Sequence, residues 1–170
     1  MTHYGTLSGA LAYHAARGNT AWSSAAVTDE QRTIALTRAS ATLDGQYGLR
    51  FPGRKTGGRG QALAWPRTGA SDRCAGEDVA ADEVPAEIES AAYEIALAEL
   101  TGQGKTAPTV TPGRVTKVEH VDVIEREFFG PADGVPVSAD AMRPVLIAVE
   151  DLLRCLLLPA SGGTVFLERA

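Results

Sequence analysis

TDEQRTIALTRASATLDGQYG, residues 28–48, contains the clearest helix start in the chain. Thr28 and Gln31 have the spacing of a capping box, in which each side chain bonds the backbone N–H of the other residue. Two acids follow the cap, and acids suit the positive end of a helix dipole. Apolar and alanine positions then recur with a period near 3.6. The stretch therefore predicts a helix that ends at Gly45 or Gly48.

Working outward from this helix, the chain predicts a small bundle within one domain, 1–170. The fold class is mainly α, with three or four helices and a short β element before the last helix. The expected elements are a helix capped by Ser8 and ended by Gly18, a helix from Pro85 to Leu100, an extended segment over 114–129 with a phase change at Val123–Ile124, and an apolar helix over 144–158. Residues 160–170 form a C-terminal tail, either a short strand or an arm.

Residues 48–84 predict an extended loop insertion, because no periodic pattern returns until Pro85. A connection of this length is unusual inside a compact domain and indicates a functional or partner-bound segment. A short hairpin over 75–80 is an alternative for its last part.

Charge is the strongest functional signal. Residues 48–73 carry six Arg or Lys and one acid, although the whole chain has a net charge of -5. Residues 74–104 then carry eight acids and no base. One interpretation is a nucleic-acid surface, in which cations neutralise phosphates and aromatic rings stack on bases. The other is a protein interface, in which the basic loop of one copy meets the acidic surface of a neighbour. The acidic block favours the second.

The interface hypothesis names two sets of side chains. Trp and Arg are the residue types that most often anchor such contacts. The predicted portal or intersubunit contacts are Arg50, Phe51, Arg54, Lys55, Arg59, Gln61, Leu63, Trp65, Pro66 and Arg67. The acidic counter-surface comprises Glu83, Glu87 and Glu94. For Trp65, packing onto its own bundle is an equal alternative.

Catalytic, cofactor and metal sites are not expected. Gly104–Thr106 lacks the earlier glycine of a phosphate-binding loop and the strand before it. The three histidines have no partners at ligand spacing. Cys74 and Cys155 are far apart in sequence, and we expect two reduced thiols, with a disulfide between them as the alternative. The chain is therefore not expected to be an enzyme.

Membrane segments are not expected either. The longest apolar stretch, near 144–158, is interrupted by charges and is shorter than the roughly 20 residues that a span needs. Residues 1–11 lack the basic start and apolar core of a signal peptide. We expect synthesis in the cytosol.

Several phrases resemble a known family. Residues 4–22 (YGTLSGALAYHAARGNTAW) and 38–70 (RASATLDGQYGLRFPGRKTGGRGQALAWPRTGA) resemble the head–tail adaptors of tailed bacteriophages and gene transfer agents, a family often labelled DnaT-like single-stranded-DNA-binding proteins. Its recurring pattern matches Gln61, Leu63, Trp65, Pro66, Arg67, Asp72, Gly76, Val84, Pro85, Ile88, Ala91, Glu94 and Ala96. The DRCAGED stretch, 72–78, departs from the Asp-Gly turn that is common in the family.

The resemblance implies a structural protein of the virion neck, made in the bacterial cytoplasm. It implies a ring of about twelve copies that docks on the portal protein, carries a stopper or tail-completion protein and surrounds channel DNA without sequence preference. The family label implies an alternative: a single-stranded-DNA-binding accessory of replication.

Overall fold

The computed structural model describes residues 2–102, 106, 118–121, 124–127 and 144–159, with 118–121 and 124–127 described by their backbone. These ranges contain four α-helices, three two-stranded antiparallel sheets and a 3-10 turn, Gly58–Gly60. In chain order the elements are α1 (Leu7–Ala16), α2 (Asp29–Tyr47), β1 (Arg54–Lys55), β2 (Arg67–Thr68), β3 (Ser71–Asp72), β4 (Glu77–Asp78), α3 (Ala86–Thr101), β5 (Val118–Val121), β6 (Ile124–Glu127) and α4 (Ile147–Leu153). The helices agree with the predicted mainly α class. Within the described ranges, none of them has the length and apolar character that a membrane crossing requires.

Helix α2 begins where the capping box predicts. The Gln31 amide donates to the Thr28 hydroxyl at 3.2 Å, and the Thr28 amide donates to the Gln31 side-chain oxygen at 2.8 Å. The helix buries its alanine-rich stripe against α3, with Leu36 and Leu43 fully covered. Because small side chains let helix axes approach, this stripe sets the central contact of the bundle.

Helix α3 is the centre of the bundle, since it contacts α1, α2 and α4. It buries Ile88 and Ile95 along the predicted stripe. Pro85 is its N-cap, so the helix begins at Ala86, one residue after the predicted start.

The cap predicted for α1 was misplaced. The side-chain oxygen of Thr6 accepts a hydrogen bond from the Gly9 amide at 3.0 Å, so Thr6 is the N-cap and Ser8 lies inside the helix. Two hydroxyl residues within one turn give the same local signal, and propensity alone does not separate them.

Helix α4 is shorter than the predicted 144–158. Val149 and Leu153 are buried in the bundle, while Val145 and Ile147 are exposed to 65% and 73%. No side chain caps its first turn. The apolar run therefore consists of a packed part, which includes Val149 and Leu153, and a solvent-exposed part at its start.

The predicted loop insertion, residues 48–84, contains four two-residue strands, β1 to β4, and the Gly58–Gly60 turn, and its other residues belong to no helix or strand. The hairpin of β3 and β4 covers 71–78 and overlaps the predicted 75–80 in part. Gly53 has φ of 67° and lies against the backbone of Thr68–Ala70, where a Cβ would clash. Glycine here permits a tight backbone approach.

The two cysteines form a disulfide, which corrects the expectation of reduced thiols. Cys74 and Cys155 are 81 residues apart, and the fold brings their Cα atoms to 5.2 Å. Sequence separation hides this proximity, because it arises from the packing of the turn between β3 and β4 against the end of α4.

The extended segment predicted over 114–129 contains the hairpin of β5 and β6, with Val121 opposite Ile124. The phase change at Val123–Ile124 coincides with the reversal between the strands. The tail 160–170 lies outside the described residues, as do Gly104 and Lys105 of the rejected phosphate-loop match.

Candidate interaction surface at the basic segment

The basic segment, residues 48–73, contains two adjacent stretches that differ in burial. We call residues 54–60 the tip and residues 61–67 the return. Most residues of the tip are exposed, whereas most of the return is buried or half-buried. The predicted interface residues are therefore distributed between the surface and the core.

Trp65 is the central core residue of the return. Its exposed fraction is 1%, and its ring meets that of Phe51, itself 3% exposed, edge-to-face at 5.7 Å between centroids. Leu63 is also buried. This corrects the hypothesis of Trp65 and Phe51 as exposed anchors and supports the alternative that Trp65 packs on its own bundle.

The return is held to helix α2 by Asp44. One carboxylate oxygen accepts from the Ala64 amide at 2.7 Å, and the other accepts from the Tyr4 hydroxyl at 2.7 Å. The Tyr4 oxygen in turn accepts from the Trp65 amide at 3.0 Å. Burial raises the pKa of Asp44 above its ordinary value, although these hydrogen bonds and two cations oppose the shift. Sequence reasoning missed Asp44 and Tyr4 because their partners lie at least 20 residues away.

Arg67 is a structural cation rather than a surface one. Its guanidinium donates to the carbonyls of Pro52 at 2.6 Å and Gly53 at 2.7 Å, and more weakly to those of Phe51 and Ala64. Burial lowers the pKa of Arg67, while the charge of Asp44 opposes that shift. The side chain thus satisfies the carbonyls of the bend that precedes β1 and is largely inaccessible to a partner.

Two more arginines connect the segment to α4. Arg50 forms an ion pair with Glu150 at 3.3 Å, and its backbone carbonyl accepts from the Leu158 amide at 2.7 Å. Arg73 donates to the Leu157 carbonyl at 2.8 Å. Their positive charges stabilise the chain's own tertiary contacts.

Lys55 and Gln61 close the base of the tip. The Lys55 ammonium donates to the Gln61 carbonyl at 3.0 Å. The Gln61 side chain donates to the Pro66 carbonyl at 3.0 Å and accepts from the Gly57 amide at 2.8 Å. Trp65–Pro66 is a cis peptide bond, and Pro66 is half-buried. Arg54 and Arg59 are the predicted contact cations that remain exposed.

The predicted acidic counter-surface is also divided. Glu83 is exposed and Glu87 is half-buried. Glu94 accepts from the Tyr13 hydroxyl at 2.9 Å, and its negative charge, added to burial, raises the pKa of Tyr13 to about 12. The Thr56 hydroxyl donates to the Ala81 carbonyl at 2.6 Å, so the tip lies beside the chain that leads to Glu83.

Aromatic stacking surfaces are not found on the described part of the chain. Of its aromatic residues, Tyr13 is half-buried and the others are buried. The Arg17 guanidinium covers the Tyr13 ring at 3.5 Å from its centroid. Base stacking requires open rings, and the described surface provides none.

A groove that sequence reasoning missed lies between the α1–α2 connection, the end of α3 and the start of α4. Its volume is about 660 Å³, and its lining includes Leu97, Ala98, Val145, Leu146 and Ile147. The sequence signal for it is the apolar run at 145–149, which was predicted as part of the apolar helix over 144–158. Exposed apolar side chains beside such a groove are typical of protein contacts.

One group of three possible metal ligands lies within the described residues: Asp72, Cys74 and Cys155. The two sulfurs are bonded to each other, so neither is a thiolate ligand in this structure.

Residues 3–170 match the family described as "Putative DnaT-like ssDNA binding protein". No curated protein and no solved structure matches the chain. The family match extends over both the basic segment and the last helix, and the chain therefore belongs to this family.

Proposed function

We propose that the chain is a head–tail adaptor of a tailed phage or phage-like particle. It would form a ring on the portal protein, extend the DNA channel and carry a stopper or tail-completion protein. The observation that carries the proposal is the burial of Phe51 and Trp65. Because the basic segment uses its aromatic rings in the core, its surface suits protein contacts better than base stacking.

The charge distribution supports contacts between copies. Arg54 and Arg59 project from the tip, while the chain before α3 presents exposed acids, including Glu83. Opposite charges on different surfaces of one chain favour a heterologous contact, which closes into a ring when the rotation permits. The groove beside Val145 and Ile147 offers apolar area for a further protein contact.

The proposed role requires neither catalysis nor a cofactor. Channel DNA would meet the ring as a charged rod, with phosphate contacts and no base readout. The resemblance of Gln61–Arg67 and its flanks to phage adaptors supports the same function.

Single-stranded DNA binding is the second candidate, favoured by the family description. Exposed Arg54 and Arg59 would neutralise phosphates, since glycines flank them and leave their side chains accessible. This role would rest on electrostatics and would depend steeply on salt.

A titration of labelled oligo-dT, followed by fluorescence anisotropy at two salt concentrations, separates the candidates. The adaptor role predicts negligible binding, with ring formation on purified portal protein detected by mass photometry. Salt-sensitive micromolar binding that the Arg54→Ala/Arg59→Ala variant abolishes would favour the second candidate.

The matched control is the Arg38→Ala/Arg154→Ala variant, which removes the same charge from other exposed positions. Equal loss in both variants would indicate a general charge effect rather than a site at the tip. Failure of the chain to assemble with or without portal would overturn the adaptor proposal.

A further inference from the structure

The Cys74–Cys155 disulfide connects two parts of the molecule that are remote in sequence. Cys74 lies on the turn between β3 and β4, and Cys155 follows the end of α4. Cys74 is exposed and Cys155 is half-buried. A small thiol or disulfide in solution can therefore reach the bond, and accessible disulfides are the ones that exchange readily.

The turn that carries Cys74 has its own hydrogen bonds. One Asp72 carboxylate oxygen accepts from the Cys74 amide at 2.7 Å and from the Ala75 amide at 2.9 Å. Gly76, with φ of 72°, donates its amide to the Asp72 carbonyl at 2.8 Å. These contacts do not involve sulfur, so the turn can form again with its thiol in place each time the reduced hairpin closes.

The contact between this turn and α4 has few other supports nearby. The Arg73 amide donates to the Cys155 carbonyl at 2.9 Å, and the Arg73 side chain donates to the Leu157 carbonyl. Hydrogen bonds of this kind contribute about 1 kcal/mol each. The Leu158 amide then bonds Arg50, so the end of α4 also adjoins the basic segment. Without the covalent bond, the Arg73 hydrogen bonds are the polar contacts that hold the hairpin to the end of α4.

We propose that Cys74 and Cys155 form a thiol–disulfide latch that exchanges with low-molecular-weight disulfides. The thiolate of exposed Cys74 attacks one sulfur of the small disulfide and expels a small thiolate, which takes up a proton. The Cys155 thiolate then attacks the Cys74 sulfur of the mixed disulfide and expels the second small thiol. Two electrons pass from the cysteine pair to the small disulfide. The closed latch fixes the hairpin of β3 and β4 to the end of α4.

The disulfide stabilises a local contact and is not required for the packing of the central helices. The buried stripes of α2 and α3 pack without either cysteine. Opening it releases the hairpin from the end of α4, where Leu156 and Leu157 stay buried in the core, and leaves the central helices folded. The inference does not depend on the adaptor proposal, because its test needs neither portal nor DNA.

The experiment equilibrates the full chain in buffers with different ratios of reduced to oxidised glutathione. Alkylation and mass spectrometry give the fraction of closed disulfide, and hydrogen–deuterium exchange gives local opening. We expect a reversible transition, with exchange at least ten-fold faster in the peptide covering 70–79 of the reduced chain. Peptides from α2 and α3 should not change.

The Cys74→Ser/Cys155→Ser variant is the matched control and should exchange like the reduced wild type in every buffer. Uniformly faster exchange in all helices on reduction, or no change anywhere, would overturn the latch. So would cysteines that stay reduced in oxidised glutathione. Zn²⁺ added to the reduced chain must not restore protection, since restoration would identify Asp72, Cys74 and Cys155 as a metal site instead. If the variant fails to fold, the reduced wild type gives the same comparison.

Discussion

The return and the tip are neighbours in one basic segment, but the side chains of the return are mostly buried and those of the tip are mostly exposed. Trp65 and Arg67 of the return are buried and bond within the chain, whereas Arg54 and Arg59 of the tip face solvent. Both parts look alike in composition, with glycines, arginines and few acids. The difference teaches that a positive charge in a sequence indicates a binding surface only when no internal carbonyl or carboxylate uses it.

The largest expected effect is that of Trp65→Ala. Removing a fully buried indole should lower the free energy of unfolding by roughly 3–5 kcal/mol, through lost burial and a cavity. Urea denaturation of the isolated chain measures it. A loss below about 1 kcal/mol would contradict the core position and return Trp65 to the surface.

Arg67→Lys should cost about 2–3 kcal/mol. Lys cannot reproduce the planar donor set that reaches four backbone carbonyls, and buried carbonyls without donors are costly. Arg54→Lys is the control and should be neutral within about 0.5 kcal/mol. Equal losses of unfolding free energy in the two variants would contradict the distinction between a buried return and an exposed tip.

Tyr4→Phe should cost about 1–2 kcal/mol near pH 7, because the Asp44 carboxylate loses a donor and the Trp65 amide loses its acceptor. The folded-state pKa of Asp44 lies above its ordinary value of 3.8, and the Tyr4 hydrogen bond holds it down. Removing that bond raises the folded pKa further, so it penalises the ionised form. The cost should shrink as the pH falls through the folded pKa of Asp44 towards 3.8. Denaturation at several pH values checks this. A loss of unfolding free energy that does not change with pH would show that Tyr4 does not act through the Asp44 carboxylate.

The smallest effect on stability is expected for Arg54→Ala/Arg59→Ala, at most about 0.5 kcal/mol. Exposed side chains without buried partners contribute little to folding. Thermal unfolding of the isolated chain tests this. A larger loss would show that the tip, like the return, stabilises its own bundle.

Local signals in the sequence were sufficient for the main helices. The capping box at Thr28 and Gln31 and the apolar stripe of α3 act over three or four residues, so they are visible without the fold. Prediction failed where two local signals compete, as at Thr6 and Ser8. Over 48–84 it missed β1, β2 and β3, because two-residue strands are too short to show a periodicity.

The sequence by itself determined the helical bundle, the basic segment and the acidic stretch that follows it. Only the tertiary structure decided which charges are internal, that Asp44 and Tyr4 hold the return, and that Cys74 meets Cys155. The reason is physical: helix caps and stripes depend on neighbours within a turn, whereas Asp44 meets Ala64 across 20 positions, and the two cysteines meet across 81. Those neighbours exist only after the chain has packed.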